Sequence, residues 1–190
     1  MAKLYFKYGA MGSSKTASAL ITKFNYEERG MKVWLIKPSA DRRDGRDMLK
    51  SRVGLSCNCT PIDSGRDIKE MFLSEHIEAD VIICDESQFF TAAQIDQLRE
   101  IVDEFDTPVL AFGLRTDFRT QLFEASARLF AVADSITEIK TICECGRKAT
   151  VNARLSDGKV VTEGEQVVLG GNESYVAMCH RCWKKAQKHN

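Results

Sequence analysis

Eight consecutive residues near the start of the chain have the types that bind phosphate: Gly9-Ala10-Met11-Gly12-Ser13-Ser14-Lys15-Thr16. They follow a short alternating apolar segment and open a helical pattern, the strand–loop–helix setting such a loop requires. There the backbone N–H groups of the loop and of the helix N-terminus cradle phosphate oxygens. Lys15 adds positive charge at the β- and γ-phosphates, and the Thr16 hydroxyl can ligate Mg2+. Ser14 stands where the usual pattern has glycine. If that position takes a positive φ, serine costs on the order of 1 kcal/mol. The bland alternative is a glycine-bearing turn with a solvated lysine.

A second set is Asp85-Glu86-Ser87-Gln88, directly after the apolar run Val81-Ile82-Ile83-Cys84. Such a run reads as a buried parallel strand, with its acids at the C-terminal edge of the sheet beside the phosphate loop. Asp85 would hold Mg2+, directly or through water. Glu86 would accept the proton of whatever attacks the γ-phosphate. Together the two motifs imply a nucleoside triphosphate but not the acceptor. No Asn-Lys-x-Asp run of the guanine-reading kind occurs, which disfavours a GTPase. Asp-Glu-x-Gln also occurs in helicases, which need a second nucleotide-binding domain that 190 residues cannot supply.

The third set is Cys143-Glu144-Cys145 with Cys179-His180-Arg181-Cys182, separated by 33 residues. Four thiolates suit a closed tetrahedral structural Zn2+ site. The first pair is tightly spaced, and Gly146 would help its turn; His180 is a possible substitute ligand. Buried free cysteines are the plain alternative. Cys57 and Cys59 have no partner pair nearby and read as loop thiols. Cys84 reads as a small apolar core residue.

The elements that must position these groups follow from periodicity. Strands are expected at 3–8, 32–37, 81–84, 109–112 and 136–142. Helices are expected at 15–29, 67–76, 91–105 (opened by a Thr91/Gln94 capping box) and 120–133. Residues 39–60 read as a long polar loop with a helical piece near Met48. Alternating strands and helices mean a mostly parallel α/β sheet with helices on both faces. After residue 140 the character changes to two Cys pairs, several glycines and β-like runs at 159–161 and 166–169. Two units are expected: 1–140 for binding the nucleoside triphosphate, which the resemblance below makes ATP, and 141–190 for zinc binding.

Composition sets the outer bounds. Twenty-seven basic and 27 acidic residues cancel, which argues weakly against a protein devoted to nucleic acid or anionic membrane. No apolar run approaches the roughly 20 residues of a membrane span. The N-terminal residues lack a secretory pattern. Seven cysteines, an odd number, suggest a reducing, cytoplasmic setting with free thiols.

Four blocks in this order carry a resemblance: Gly9–Thr16; Asp85-Glu86-Ser87-Gln88-Phe89; Gly113-Leu114-Arg115-Thr116-Asp117-Phe118; and Gly170-Gly171 followed by Tyr175 and Cys179. Over nearly the whole chain it resembles the cytosolic, tetramer-forming class of thymidine kinase. The resemblance implies a P-loop, RecA-like sheet and a small zinc-ribbon-like β unit with a "lasso" loop, about Leu155 to Tyr175. It implies transfer of the ATP γ-phosphate to the thymidine 5′-hydroxyl in nucleotide salvage, with Mg2+, a structural zinc and inhibition by dTTP. It makes Glu86 the general base. It puts Met11, Phe89, Leu114, Phe118, Tyr175, Val168 and Gly170 at the nucleoside, and Arg43 near the transferred phosphoryl group. Seen alone, Phe89, Leu114 and Phe118 would be core residues, and Arg43 a loop charge. Two other readings stay open here: a P-loop ATPase that remodels DNA or protein, and a zinc-ribbon nucleic-acid module.

Overall fold

The computed structural model describes residues 1–75, 78–167 and 174–188. Its centre is a six-stranded sheet of β1 (Leu4–Tyr8), β2 (Val33–Pro38), β5 (Thr60–Ile62), β6 (Val81–Cys84), β7 (Val109–Gly113) and β8 (Ser135–Glu138). The strand order is β5-β2-β6-β7-β1-β8, and every pairing is parallel. Alternation within each strand sends side chains to two separate cores. Leu4, Phe6, Trp34, Ile36, Ile82, Val109 and Ala111 pack on one side with α2 (Ile68–Ser74), α3 (Ala92–Phe105) and α4 (Glu124–Val132). Leu35, Val81, Ile83, Leu110 and Phe112 pack on the other side with Ala19 and Leu20 of α1 (Lys15–Glu27). This two-sided burial explains why the strands read as unbroken apolar runs.

The second sheet is antiparallel, with order β10-β9-β11: β9 (Val151–Ser156), β10 (Lys159–Val160) and β11 (Ser174–Met178). A two-residue turn joins β9 to β10, with φ of 49° at Asp157 and 77° at Gly158, the double positive φ of a tight hairpin. The helix α5 (His180–Gln187) packs Trp183 against this sheet. No helix among the described residues is long and apolar enough to cross a membrane.

Several expected elements need correction. The 39–60 segment holds no helix near Met48. Instead β3 (Met48–Lys50) and β4 (Ser56–Asn58) form a hairpin, and β5 follows at once. Three-residue strands are too short to show a period, and Pro61 obscures β5, which sits at a sheet edge where proline is tolerated. α4 begins at Glu124 rather than 120 because Asp117 folds residues 117–121 into a turn, accepting from the N–H groups of Arg119 (2.8 Å) and Gln121 (2.9 Å). β8 stops at Glu138, short of 142. Of the β-like run at 166–169, Gln166 and Val167 are not in a strand, and Val168 and Leu169 lie outside the described residues. The Thr91/Gln94 capping box is present in full.

Candidate active site

Because all six strands are parallel, their C-terminal ends share one edge. There Pro38 and Gly113 end β2 and β7, and Gly9 and Asp85 directly follow β1 and β6, with β7 lying between β1 and β6. The Gly9–Thr16 loop leaves β1 there and enters α1. A Cβ on Gly9 would lie 2.3 Å from the Ile139 carbonyl, so only glycine fits. Ser14 has φ 60° and ψ 31°, the left-handed conformation that favours glycine. The serine therefore carries the strain its sequence position implied.

Lys15 Nζ donates to the carbonyls of Gly9 (3.1 Å) and Ala10 (3.0 Å) and to Ser13 Oγ (3.3 Å). Burial pushes its pKa down, opposed by Glu86 and Asp85. Thr16 Oγ1 donates to Asp85 Oδ2 at 2.7 Å. The other Asp85 oxygen, Oδ1, is buried with no hydrogen-bond partner. Burial, then the neighbouring Glu86, pushes the Asp85 carboxyl up to about 7. A hydroxyl beside a buried carboxylate oxygen with an open valence is a donor set that fits Mg2+.

Glu86 has φ 48°, a positive value that is costly for a residue with a side chain. Its carboxylate is held from two sides. Arg43 Nη2 lies 2.5 Å from Oε1, and Gln88 Nε2 donates to Oε2 at 2.5 Å. Gln88 is itself fixed, accepting from Leu114 N–H through Oε1 at 2.9 Å. Ser87 is fully buried beneath Gly113, where a Cβ would lie 2.5 Å from Ser87 Oγ. Arg43 also donates from Nε to Asp41 Oδ1 at 2.7 Å.

Lys15, Thr16, Asp41, Arg43, Asp85, Glu86 and Gln88 line one cleft of about 570 Å3, and Met11, Phe89, Leu114, Phe118 and Tyr175 line it with them. The predicted donor-side and nucleoside-side residues are thus brought together. Val168 and Gly170 lie outside the described residues. The second sheet contributes residues that the sequence reading missed. Asn152 Oδ1 accepts Met11 N–H (2.8 Å), and its Nδ2 donates to the Thr116 carbonyl (2.8 Å). The Arg154 guanidinium lies 3.8 Å over the Phe118 ring and donates to the carbonyls of Glu165 (2.9 Å) and Glu163 (3.2 Å). Nothing in their sequence neighbourhood marks either residue. Each becomes visible only when β9 is placed beside the cleft.

The Sγ atoms of Cys143, Cys145, Cys179 and Cys182 all lie within 4.8 Å of one another. Zn–S bonds of about 2.3 Å in a tetrahedron need sulfur separations of roughly 3.8 Å, and Cys145 and Cys179 are 3.6 Å apart. Backbone N–H groups of Cys179 and Cys145 bring the Cys143 thiol down to about 7. The cluster is compatible with a structural zinc. His180 is exposed and stands outside it, 5.5 Å from the Trp183 ring. Cys57 and Cys59 are not part of it.

An arginine paired with an acid, facing a lysine and a hydroxyl across one cleft, is the equipment of a phosphotransferase. Comparison with known proteins narrows that class. A family model described as thymidine kinase matches residues 2–183. A thymidine kinase of Yersinia pseudotuberculosis serotype I is 45% identical over 99% of this chain and 97% of its own. One from Legionella pneumophila is 46% identical over 98% and 91%, and one from Shewanella oneidensis 44% over 97% and 98%. The chain belongs to the thymidine kinase family.

Proposed function

We propose that this protein transfers the γ-phosphoryl group of ATP to the 5′-hydroxyl of thymidine, giving dTMP and ADP in nucleotide salvage. The observation that carries the reading is the shared cleft. Glu86 and Arg43, paired with each other, line it together with Lys15 and Thr16 of the phosphate loop and with Phe118 and Tyr175. We read the large sheet as a P-loop, RecA-like unit over 1–140 and the remainder, 141–190, as a zinc-ribbon-like unit with its lasso. Family membership displaces the remodelling-ATPase and nucleic-acid readings.

In this mechanism the loop N–H groups from Gly9 to Thr16 and the Lys15 ammonium bind the donor phosphates. Lys15 exchanges its contacts with Gly9 and Ala10 for phosphate oxygens. Asp85 and Thr16 would hold Mg2+, which when bound neutralises phosphate charge; Ser87 and Gln88 support that edge. Glu86 takes the proton from the 5′-hydroxyl as its oxygen attacks Pγ. The Pγ–O bond to ADP breaks, and the proton passes from Glu86 to solvent. Arg43 follows the charge on the transferred group. Met11, Phe89, Leu114, Phe118 and Tyr175 hold the nucleoside, joined in this reading by Val168 and Gly170 of the lasso. A closed lasso excludes water, which would otherwise hydrolyse ATP.

The same reading extends to assembly and control. dTTP, carrying thymine and a triphosphate, offers groups for both ends of the cleft and would act as the inhibitor. Exposed Ile21 and Phe24 on α1, and Ile136 on the edge strand β8, support a homotetramer. Seven cysteines with no disulfide among them, four of them read as zinc ligands, support a cytoplasmic setting. A nucleoside panel tests the activity: thymidine should accelerate ADP formation well above all other nucleosides. Turnover indifferent to nucleosides, or stimulated by DNA, overturns the proposal.

A further inference from the structure

Lys37 occupies a place where the fold calls for a hydrocarbon. Val33, Leu35 and Lys37 alternate along β2 toward the α1 side of the sheet, and the first two pack in that core. Lys37 is fully buried. An ammonium taken out of water is costly unless it is paired and hydrogen-bonded. Its partners all come from one segment. Nζ donates to the carbonyls of Gly45 (2.8 Å) and Met48 (2.8 Å) and lies 3.7 Å from Asp41 Oδ2.

Those three partners bracket Arg43. Asp41 precedes it and is itself buried, and Gly45 follows it. Asp41 spends one oxygen on Lys37 and the other on Arg43 Nε at 2.7 Å. Arg43 then reaches Glu86 at 2.5 Å. Burial pushes the Asp41 carboxyl up, but Arg43 and then Lys37 outweigh it and hold the group below the usual carboxylate range. Arg43 is half exposed, and its planar fork has many rotamers to choose from. Something must select the one that meets Glu86. A fixed carboxylate behind Nε does so, and a fixed ammonium beneath that carboxylate keeps it in place.

We propose that Lys37 is a positioning residue for phosphoryl transfer: from the core it anchors Asp41 and the Gly45–Met48 turn, and so sets Arg43 on Glu86. The inference rests on the reading of Glu86 and Arg43 as acting on the reacting groups. Misplacing such a group by about 1 Å costs about 10²-fold in rate.

The test is a double-mutant cycle in the full-length protein, with kcat and both KM values measured separately. Lys37→Met should lower kcat about 10²-fold and leave KM for thymidine and ATP within about threefold. In an Arg43→Ala background the same substitution should change kcat less than threefold, because the group it positions is gone. If Lys37→Met does not fold, Asp41→Asn breaks the same chain while keeping the side-chain shape, and should show the same dependence on Arg43. Equal losses in both backgrounds, a change confined to KM, or an Arg43→Ala variant as fast as the parent overturns the proposal. Glu86→Gln, measured alongside, separates the two ideas. A fully active Glu86→Gln defeats the base assignment, while the Lys37–Arg43 cycle still decides the positioning role.

Discussion

Asn152 accepts the Met11 N–H at 2.8 Å, so a residue of the small sheet holds a backbone donor of the Gly9–Thr16 loop. Its amide nitrogen is used as well, donating to the Thr116 carbonyl. One buried side chain thus ties together the loop, the Thr116–Phe118 wall and β9. Truncating it leaves a half-buried N–H and a buried carbonyl without this partner.

Asn152→Ala should therefore destabilise the protein by about 1–3 kcal/mol. It should also raise KM for both ATP and thymidine, since it releases groups on both sides of the cleft. Thermal melting and initial-rate kinetics check this together. An effect on one substrate alone would show that the strut serves only one side.

Glu86→Gln should reduce kcat by ~10²–10⁴ and leave ATP binding nearly intact. Glutamine keeps the side-chain size and can still meet Gln88, but it cannot take a proton. Rapid-quench turnover and equilibrium binding of ATP separate the two quantities. Near-normal turnover would remove Glu86 from the chemistry.

The sequence carried the groups that are contiguous. Gly9–Thr16, Asp85–Gln88 and the two Cys pairs each hold several chemical residues within a few positions, and the structure gathers them as their spacing suggests. Strands buried on both faces were legible because alternation is not needed there: Val81–Cys84 is apolar throughout. What stayed hidden was non-local. Lys37 looked like the polar end of a strand, Asp41 one acid in a charged loop, and Asn152 and Arg154 fell in a stretch where no strand was expected. Each acquires its partner only through sheet order or chain crossing. The β3–β4 hairpin was hidden for a different reason, since strands of three residues carry no period.

Cys59 should resist alkylation. Burial raises its thiol to about 11 from an ordinary 9.0, so at pH 8 the thiolate fraction is about a hundredfold smaller than for a free thiol. Iodoacetamide labelling followed by peptide mapping should show it about two orders of magnitude slower than an unperturbed cysteine. The same shift has a sign for stability. The folded state keeps the proton that the unfolded chain gives up near pH 9, so this contribution is present below 9 and is lost as pH rises toward 11. Cys59→Ser should flatten the fall in Tm over that window.

Ser14→Gly should stabilise the fold by about 0.5–1 kcal/mol. Serine at φ 60° pays the steric cost of the left-handed region, which glycine avoids. Glycine's greater freedom when unfolded offsets part of that gain. The phosphate loop uses the backbone N–H at this position, which glycine keeps, so kcat should stay within about twofold of the parent. Urea denaturation gives the stability, and an unchanged or lower midpoint would mean that the serine hydroxyl returns what the backbone loses.

Zinc removal should reach the nucleoside side of the cleft before the donor side. Cys143 and Cys145 stand just ahead of β9, and Cys179 and Cys182 just behind β11. Those two strands pair along their length, with Tyr175 opposite Arg154. The strands are antiparallel, so both Cys pairs stand at the Val151–Met178 end of this ribbon, and a metal there would clamp the two strands together at that end. Arg154, in turn, lies on Phe118 and holds the 163–165 backbone. Loosening the clamp should therefore disturb Phe118, Tyr175 and Arg154, while Lys15 and Thr16 stay anchored on α1, which packs on the large sheet. Metal analysis of reduced protein should find one zinc per chain. Cys179→Ser should lose that zinc, lower Tm by several degrees (about 2–4 °C per kcal/mol at this size) and raise KM for thymidine more than KM for ATP. A zinc-free variant with unchanged Tm and unchanged thymidine KM would show that the four thiols do not support the cleft.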